Sequence, residues 1–247
     1  MKIRLIFIVG FIATYFVFIL ALMPASLLSR WVEYPKNIVV GNVTGSIWKS
    51  HIDKLSINDV ILDDLNIELS FFSLLLFNPT MNVNFGDNLV QGPKGFATIS
   101  GTLDTLTIEQ LKLTVRAELV AQQLPLPIPI EANNTIDMHI ERFVVGKPLC
   151  TELSGNIVWL DASVAALDEQ VSLGRLATDM SCQQGEIVFV IDPANNLGLS
   201  FTATVAKNFK TSGKGYLSVS ETTPEAVQQI LPFLGEPDRQ GRYVLGF

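Results

Sequence analysis

His51, His139, Cys150, Cys182 and the adjacent carboxylates Asp63-Asp64 are the residues of this sequence whose types and spacing could carry chemistry. The two histidines stand alone, with no cysteine or carboxylate beside them at metal-ligand spacing. A zinc or haem site needs a tighter cluster, so both are expected on strand faces. Asp63-Asp64 imitates a general acid–base pair, yet Asp-Asp between alternating apolar residues is expected to be an exposed turn. No G-x-S-x-G elbow, phosphate-cradling glycine loop or dinucleotide fingerprint is present in the sequence. Cys150 and Cys182 are too far apart for a C-x-x-C redox motif. These residues predict a protein that is not an enzyme, with no metal and no cofactor.

The elements that must position these residues begin with a hydrocarbon-length run. Leu5 to Met23 reads LIFIVGFIATYFVFILALM, with no charge until Arg30. A helix needs roughly 20 apolar residues to cross about 30 Å of hydrocarbon. Gly10 and Ala13 offer a small-residue face on which another span could pack. Lys2 and Arg4 precede the run, and the positive-inside bias places that stub in the cytoplasm. Everything beyond about Ala25 then lies across the membrane, in the periplasm of a bacterium. The competing reading is a cleaved signal peptide. Its apolar region usually runs 7–15 residues, and Met23 and Leu27 spoil the cleavage sites at Ala21 and Ala25. The expected organisation is a stub over 1–4, a span over 5–23, a connector over 24–36 and a periplasmic β domain over 37–247.

The chain has 247 residues and a net charge of −7, which becomes −9 once Lys2 and Arg4 are set aside. An acidic domain gains nothing from counterion release, so nucleic acid is excluded as a partner class. The same charge argues against a broad electrostatic grip on anionic headgroups. In an oxidising compartment an isolated cysteine pair is expected to be bridged. Closing a loop of about 30 residues stabilises by roughly 3–4 kcal/mol in the chain-entropy model.

From Ile38 onward apolar residues alternate with polar ones, as in Ile52, Leu55, Ile57, Val60, Leu62, Leu65, Ile67 and Leu69. That period predicts half-buried strands. Further strands are expected at 81–85, 96–119, 130–145, 149–164, 171–181, 185–191, 197–205, 215–219 and 241–247. Phe71 to Phe77 (FFSLLLF) breaks the alternation and predicts a short apolar helix packed over a sheet edge as a core element under a loop, with a fully buried strand or a membrane-contacting segment as the other options. Three alternate prolines in 122–129 exclude a central strand there and predict an edge or crossover. That edge could receive a partner strand or block one. Thr223-Pro224-Glu225 predicts a helix start with Thr223 as cap. The fold class is mainly β: an N-terminal transmembrane helix, then a bent antiparallel sheet, sandwich or open barrel, with one or two short helices. Glycine precedes an apolar or aromatic residue at Gly45, Gly101, Gly155 and Gly215. Sheets bend at glycine anyway. The sharper reading is two similar halves, 37–124 and 130–247, with Trp48 and Trp159 as matching core anchors.

The order of these features resembles the type II secretion system protein N family. The residues that carry the likeness are Met23-Pro24-Ala25-Ser26-Leu27, the stretch Gly41 to Trp48 (GNVTGSIW) and Leu69 to Leu76 (LSFFSLLL). The strand with Gly155 and Trp159 between the cysteines, and Leu234-Gly235 with Gly241-Arg242-Tyr243, complete it. The resemblance implies a non-catalytic inner-membrane component of the machine that moves folded periplasmic proteins across the outer membrane. It also implies, as partners, other secretion-system subunits. The family is distantly similar to periplasmic proteins built as a bent sheet with an apolar trough for lipid. The alternative expectation is therefore a lipid-handling protein that binds phospholipid in such a groove.

Overall fold

Alternation at a period of two produces strands wherever one face must be buried and the other hydrated, and strands dominate this computed structural model. It describes residues 2–58, 60–87, 92–102, 105–122, 131–166, 169–220, 223–231 and 235–246, without the side chains of 2–6, 9, 13, 166, 169, 226, 229 and 230. The chain divides into two units, Met1–Gly92 and Pro93–Phe247. The Pro-rich stretch over 123–130 lies outside the described residues.

The first unit opens with α1 (Lys2–Leu22) and α2 (Ala25–Trp31), separated by the extended Pro24. The connector expected over 24–36 thus contains a helix of its own. Among the described residues no helix is long and apolar enough to cross a membrane. Five strands follow: β1 (Ile38–Val40), β2 (Val43–Gly45), β3 (Lys49–Ile57), β4 (Val60–Leu69) and β5 (Thr80–Phe85). β3 is central, paired antiparallel with β1 and β2 along one edge and with β4 along the other; β5 extends the sheet beyond β4. The turn between β3 and β4 falls at Asn58, whose φ of 52° suits asparagine in the left-handed region. Asp63-Asp64 is not a turn. Both residues lie inside β4, where Asp64 takes φ 53° without ending the strand.

Between β4 and β5 the FFSLLLF segment forms α3 (Phe71–Leu75). Five residues cannot hold a helix by propensity alone, and serines fix this one. Ser70 Oγ accepts from the Ser73 amide at 3.3 Å, and Ser73 Oγ donates to the Ser70 carbonyl at 2.7 Å. No residue of α3 is buried, so the expectation of a core element is overturned.

The second unit is an antiparallel meander: β6 (Lys94–Gly101), β7 (Leu106–Arg116), β9 (Thr135–Val145), β10 (Cys150–Ala166), β11 (Glu169–Gln183), β12 (Glu186–Ile191), β13 (Leu199–Val205), β14 (Thr211–Ser218) and β15 (Arg242–Gly246). The short α4 (Ala117–Ala121) follows β7, β8 (Glu131–Asn133) pairs with β10, and α5 (Glu225–Ile230) precedes the last strand. Among the described residues the meander does not close on itself, and the sheet is open. Helix α5 begins after Pro224 rather than at it, because the Thr223 hydroxyl is occupied elsewhere: it accepts from the Ser220 amide at 2.9 Å.

The core of this unit lies on one face in two clusters. Ile140, Leu153 and Met180 form one, joined by Leu111, Ile157 and Phe189. Ala162, Leu173, Leu197, Leu217 and Leu231 form the other, joined by Trp159 and Tyr243. A paired irregularity connects them. Between Trp159↔Leu176 and Ala162↔Gly174, two residues of β10 oppose one of β11; one step further the extra residue is Leu173 in β11. Each bulge flips the alternation. Odd-numbered core positions in β10 (Leu153, Ile157, Trp159) therefore become even (Ala162, Val164), and even ones in β11 (Met180, Leu176) become odd (Leu173, Val171).

Candidate functional site

Trp48, at the lip of β3, ties three elements of the first unit together. Its indole Nε1 donates to the Leu20 carbonyl of α1 at 3.0 Å. Its ring meets Phe71 of α3 edge to face, with centroids 5.2 Å apart, a geometry worth about 0.5–1.5 kcal/mol beyond area burial. Beside it the Ile47 amide donates to the Met23 carbonyl at 3.0 Å, and Pro24 bridges Ser46. The last turn of α1 is thereby fixed to the strand body through orphan carbonyls, which a helix C-terminus must satisfy somehow. Gly45 permits the turn that delivers Trp48: its φ is 84°, and a Cβ there would strike the Lys49 carbonyl.

A recess of about 300 Å³ beside this junction is lined by Trp48, Lys49, Glu68, Leu69, Ser70 and Asn82. Lys49 and Glu68, opposite each other on β3 and β4, form an ion pair at 2.6 Å. That partner raises the Lys49 ammonium above its ordinary value, through the hydrogen bond first and the charge second. Both side chains are well exposed, so the pair contributes little stability.

His51 has a carboxylate neighbour after all. Pairing of β3 with β4 sets His51 opposite Asn66, bringing Nδ1 to 3.3 Å from Asp64 Oδ1 and 3.2 Å from Asn66 Oδ1. A hairpin centred on Asn58-Asp59 makes this pairing arithmetic, so the sequence held the signal. Among the described residues no hydroxyl or thiol bonds the other ring nitrogen. His139 sits on β9 opposite Asn156 and Lys112, and its buried Nδ1 has no hydrogen-bond partner among the described residues. Among the described residues no group of three His, Cys, Asp or Glu side chains could hold a metal.

Cys150 and Cys182 are bonded, with Cα atoms 6.1 Å apart. Cys150 follows the turn between β9 and β10, and its amide donates to the Gly185 carbonyl in the next turn, between β11 and β12. The bridge therefore clamps two neighbouring turns at one end of the meander. Trp159 Nε1 donates to the Asn133 carbonyl at 2.8 Å while its ring packs on the second cluster. Trp48 and Trp159 thus have different surroundings: one joins helices to a strand lip, the other lies against core. Gly10 is exposed on α1, its carbonyl accepting from Thr14 Oγ1 at 2.9 Å; the side chain of Ala13 lies outside the described residues.

Among the described residues nothing in this arrangement joins a nucleophile to a base, and what it organises is a helix–strand junction and an open sheet. The profile described as "Type II secretion system (T2SS), protein N" matches residues 36–246. The chain belongs to that family. A protein N from Aeromonas hydrophila is 27% identical over 251 residues, covering 100% of this chain and 98% of its own. Those from Vibrio cholerae and Pectobacterium carotovorum are 23% and 24% identical, covering 90% and 97% of this chain and 88% and 94% of their own. All three bear the name "Type II secretion system protein N". No solved structure matches. Family membership makes this chain a component of type II secretion, with other secretion-system subunits as partners.

Proposed function

We propose that this chain is a single-span inner-membrane subunit of the type II secretion system that works by binding rather than by catalysis. Residues 1–4 face the cytoplasm, 5–23 cross the bilayer, 24–36 connect, and 37–247 form the periplasmic body. No helix is long and apolar enough to cross a membrane over its described residues, and what supports the reading is α1 taken together with the uncharged sequence run that contains it. Its described side chains from Phe7 to Leu22 are solvent-exposed, Phe7 and Phe11 by about three quarters, and all are apolar except Thr14 and the hydroxyl tip of Tyr15. A helix apolar nearly all round belongs in a core or in lipid, and among the described residues no core surrounds α1. The full run from Leu5 to Met23 holds no charge, and Arg30 and Trp31 follow at the depth where cationic stems and indoles settle. Anchoring confines the body to the inner membrane and raises its effective concentration for other subunits. Gly10 and Ala13 are the positions at which another span would pack.

A phosphatase reporter fused after Phe247 tests the topology. Activity in the periplasm supports the reading, and activity confined to the cytosol removes it, together with the compartment that makes a Cys150–Cys182 bridge expected. Crosslinking in intact cells tests the role: secretion subunits should be the attached proteins.

A further inference from the structure

We infer that α3 is a second membrane contact, lying in the outer leaflet of the bilayer that holds α1; this rests on the anchoring reading above. The segment presents Phe71, Phe72, Leu74, Leu75, Leu76 and Phe77 to solvent, with Phe72, Leu76 and Phe77 each more than three quarters exposed. From Ser70 to Thr80 it contains no charged residue. A contiguous apolar patch of this kind on a folded protein marks an interaction surface.

The backbone is prepared for a place without water. The amides of Leu74, Leu76, Phe77 and Asn78 donate to the carbonyls of Ser70, Phe72, Leu74 and Ser73. At the base of the segment the Ser70 amide donates to the Thr80 carbonyl and the Leu69 amide to the Trp48 carbonyl. Ser73 Oγ closes the loop by accepting from the Thr80 amide at 2.8 Å. A hydrocarbon environment demands this internal satisfaction, and a loop built only to hydrate its backbone has no need of it.

The occupant follows from position. Trp48 holds the Leu20 carbonyl of α1 with its nitrogen and Phe71 of α3 with its ring. The apolar helix and the apolar loop are therefore fixed to one residue, at the end of α1 that emerges toward the strands. A bilayer containing α1 reaches α3 at its near surface, where an indole with a wet end and an apolar ring belongs. The exposed Trp31 at the end of α2, in the same unit, adds a further ring of the type found at that depth. A short apolar loop buried by several ångström into the headgroup boundary binds through area alone, which suits a body too acidic for electrostatic attachment.

The test places p-benzoylphenylalanine, one site at a time, at Phe11, Val39, Phe72 and Phe77 of the full chain. Each variant is reconstituted in vesicles of phosphatidylethanolamine and phosphatidylglycerol, irradiated and analysed by mass spectrometry. Val39 is an exposed apolar position on β1 and serves as the control for labelling of any exposed apolar side chain. Phospholipid adducts at Phe11, Phe72 and Phe77 with none at Val39 are the expected result. Adducts at Phe11 alone overturn the inference and leave the anchor standing. Chain-to-chain adducts at Phe72 and Phe77 overturn it in favour of a second copy as occupant. Lipid at Val39 in equal yield also overturns it, and absence of lipid at Phe11 removes the anchoring reading and this inference with it.

Discussion

Replacing Cys150 and Cys182 together with alanine should destabilise the second unit by about 4 kcal/mol, as follows from chain entropy and burial. The bridge joins positions 32 apart in sequence. Cross-linking a loop of that length removes about 12–13 cal/mol/K from the unfolded ensemble, about 3.7 kcal/mol at room temperature. Cys150 is 1% exposed, so truncation also removes buried atoms, adding up to about 1 kcal/mol. In a body of this size each kcal/mol moves the midpoint by about 2–4 °C. The double variant should therefore melt about 8–18 °C lower, with reduced wild type falling slightly less. The assay is thermal unfolding of the full chain in mild detergent, with hydrogen exchange in peptides of β10 and β11 assigning the loss to this unit. Alkylation before reduction should find no free thiol in the native protein. A midpoint shift below about 2 °C, with the bridge shown closed, would refute the loop-entropy reasoning. Reactive thiols at both positions would refute the bridge.

Trp48→Phe keeps the ring against Phe71 but drops the donor to Leu20, and should loosen the junction by about 1 kcal/mol; faster exchange at the Ile47 amide, which bonds Met23, is the readout. Gly155→Ala places a Cβ about 2.6 Å from the His139 carbonyl and 3.0 Å from Met180 Cε between β9 and β11. Urea unfolding should show a loss of about 1–3 kcal/mol. Asp238 accepts from the Arg242 backbone and guanidinium, which hold its carboxyl below the ordinary carboxylate value, the backbone bond contributing most. A depressed folded value means its contribution is complete above the ordinary range and lost as pH falls through the folded one. The protection factor of the Arg242 amide, its exchange rate relative to the intrinsic rate at the same pH, should therefore fall in acid, and Asp238→Asn should remove that change in protection.

Strand-forming stretches were legible because the sheet imposes its own period: a residue out of step would put a leucine into water or an aspartate against the core. Hence β3, β12, β13 and β15 lie where alternation puts them. What alternation could not carry was polar identity. Asp63-Asp64 reads as a turn because aspartate favours turns, but a strand also accepts aspartate on its wet face, and Asn66 Nδ2 satisfies Asp64 at 3.2 Å. Thr223 has the chemistry of a cap, and a competing backbone amide at Ser220 captured it. The FFSLLLF segment shows the limit most clearly. Composition gave its helical form, yet apolar composition is the same for a segment facing a core and one facing outward; the lack of any buried residue in α3 excludes the core, and the contact of Trp48 with both Leu20 and Phe71 is what supports the proposed membrane contact.

The long β10–β11 hairpin shows how a broken pattern can still encode one face. Read strictly, the change from odd to even core positions after Trp159 would send Ala162 and Val164 to the opposite side of the sheet. Left alone, a slip in one strand exposes half its apolar residues, and no hairpin of this length would tolerate it. The partner slips as well, one residue pair away, so Leu173 and Val171 turn inward with Ala162 and Val164. Asp161 takes φ 47° at the first slip, its carbonyl held by Asn134 Nδ2 at 2.6 Å, and Gly174 takes φ 72° at the second. Both irregularities bend and twist the ladder while the core face passes through intact. Two matched defects thus do what no regular alternation can: they let one hairpin serve both core clusters of the sheet.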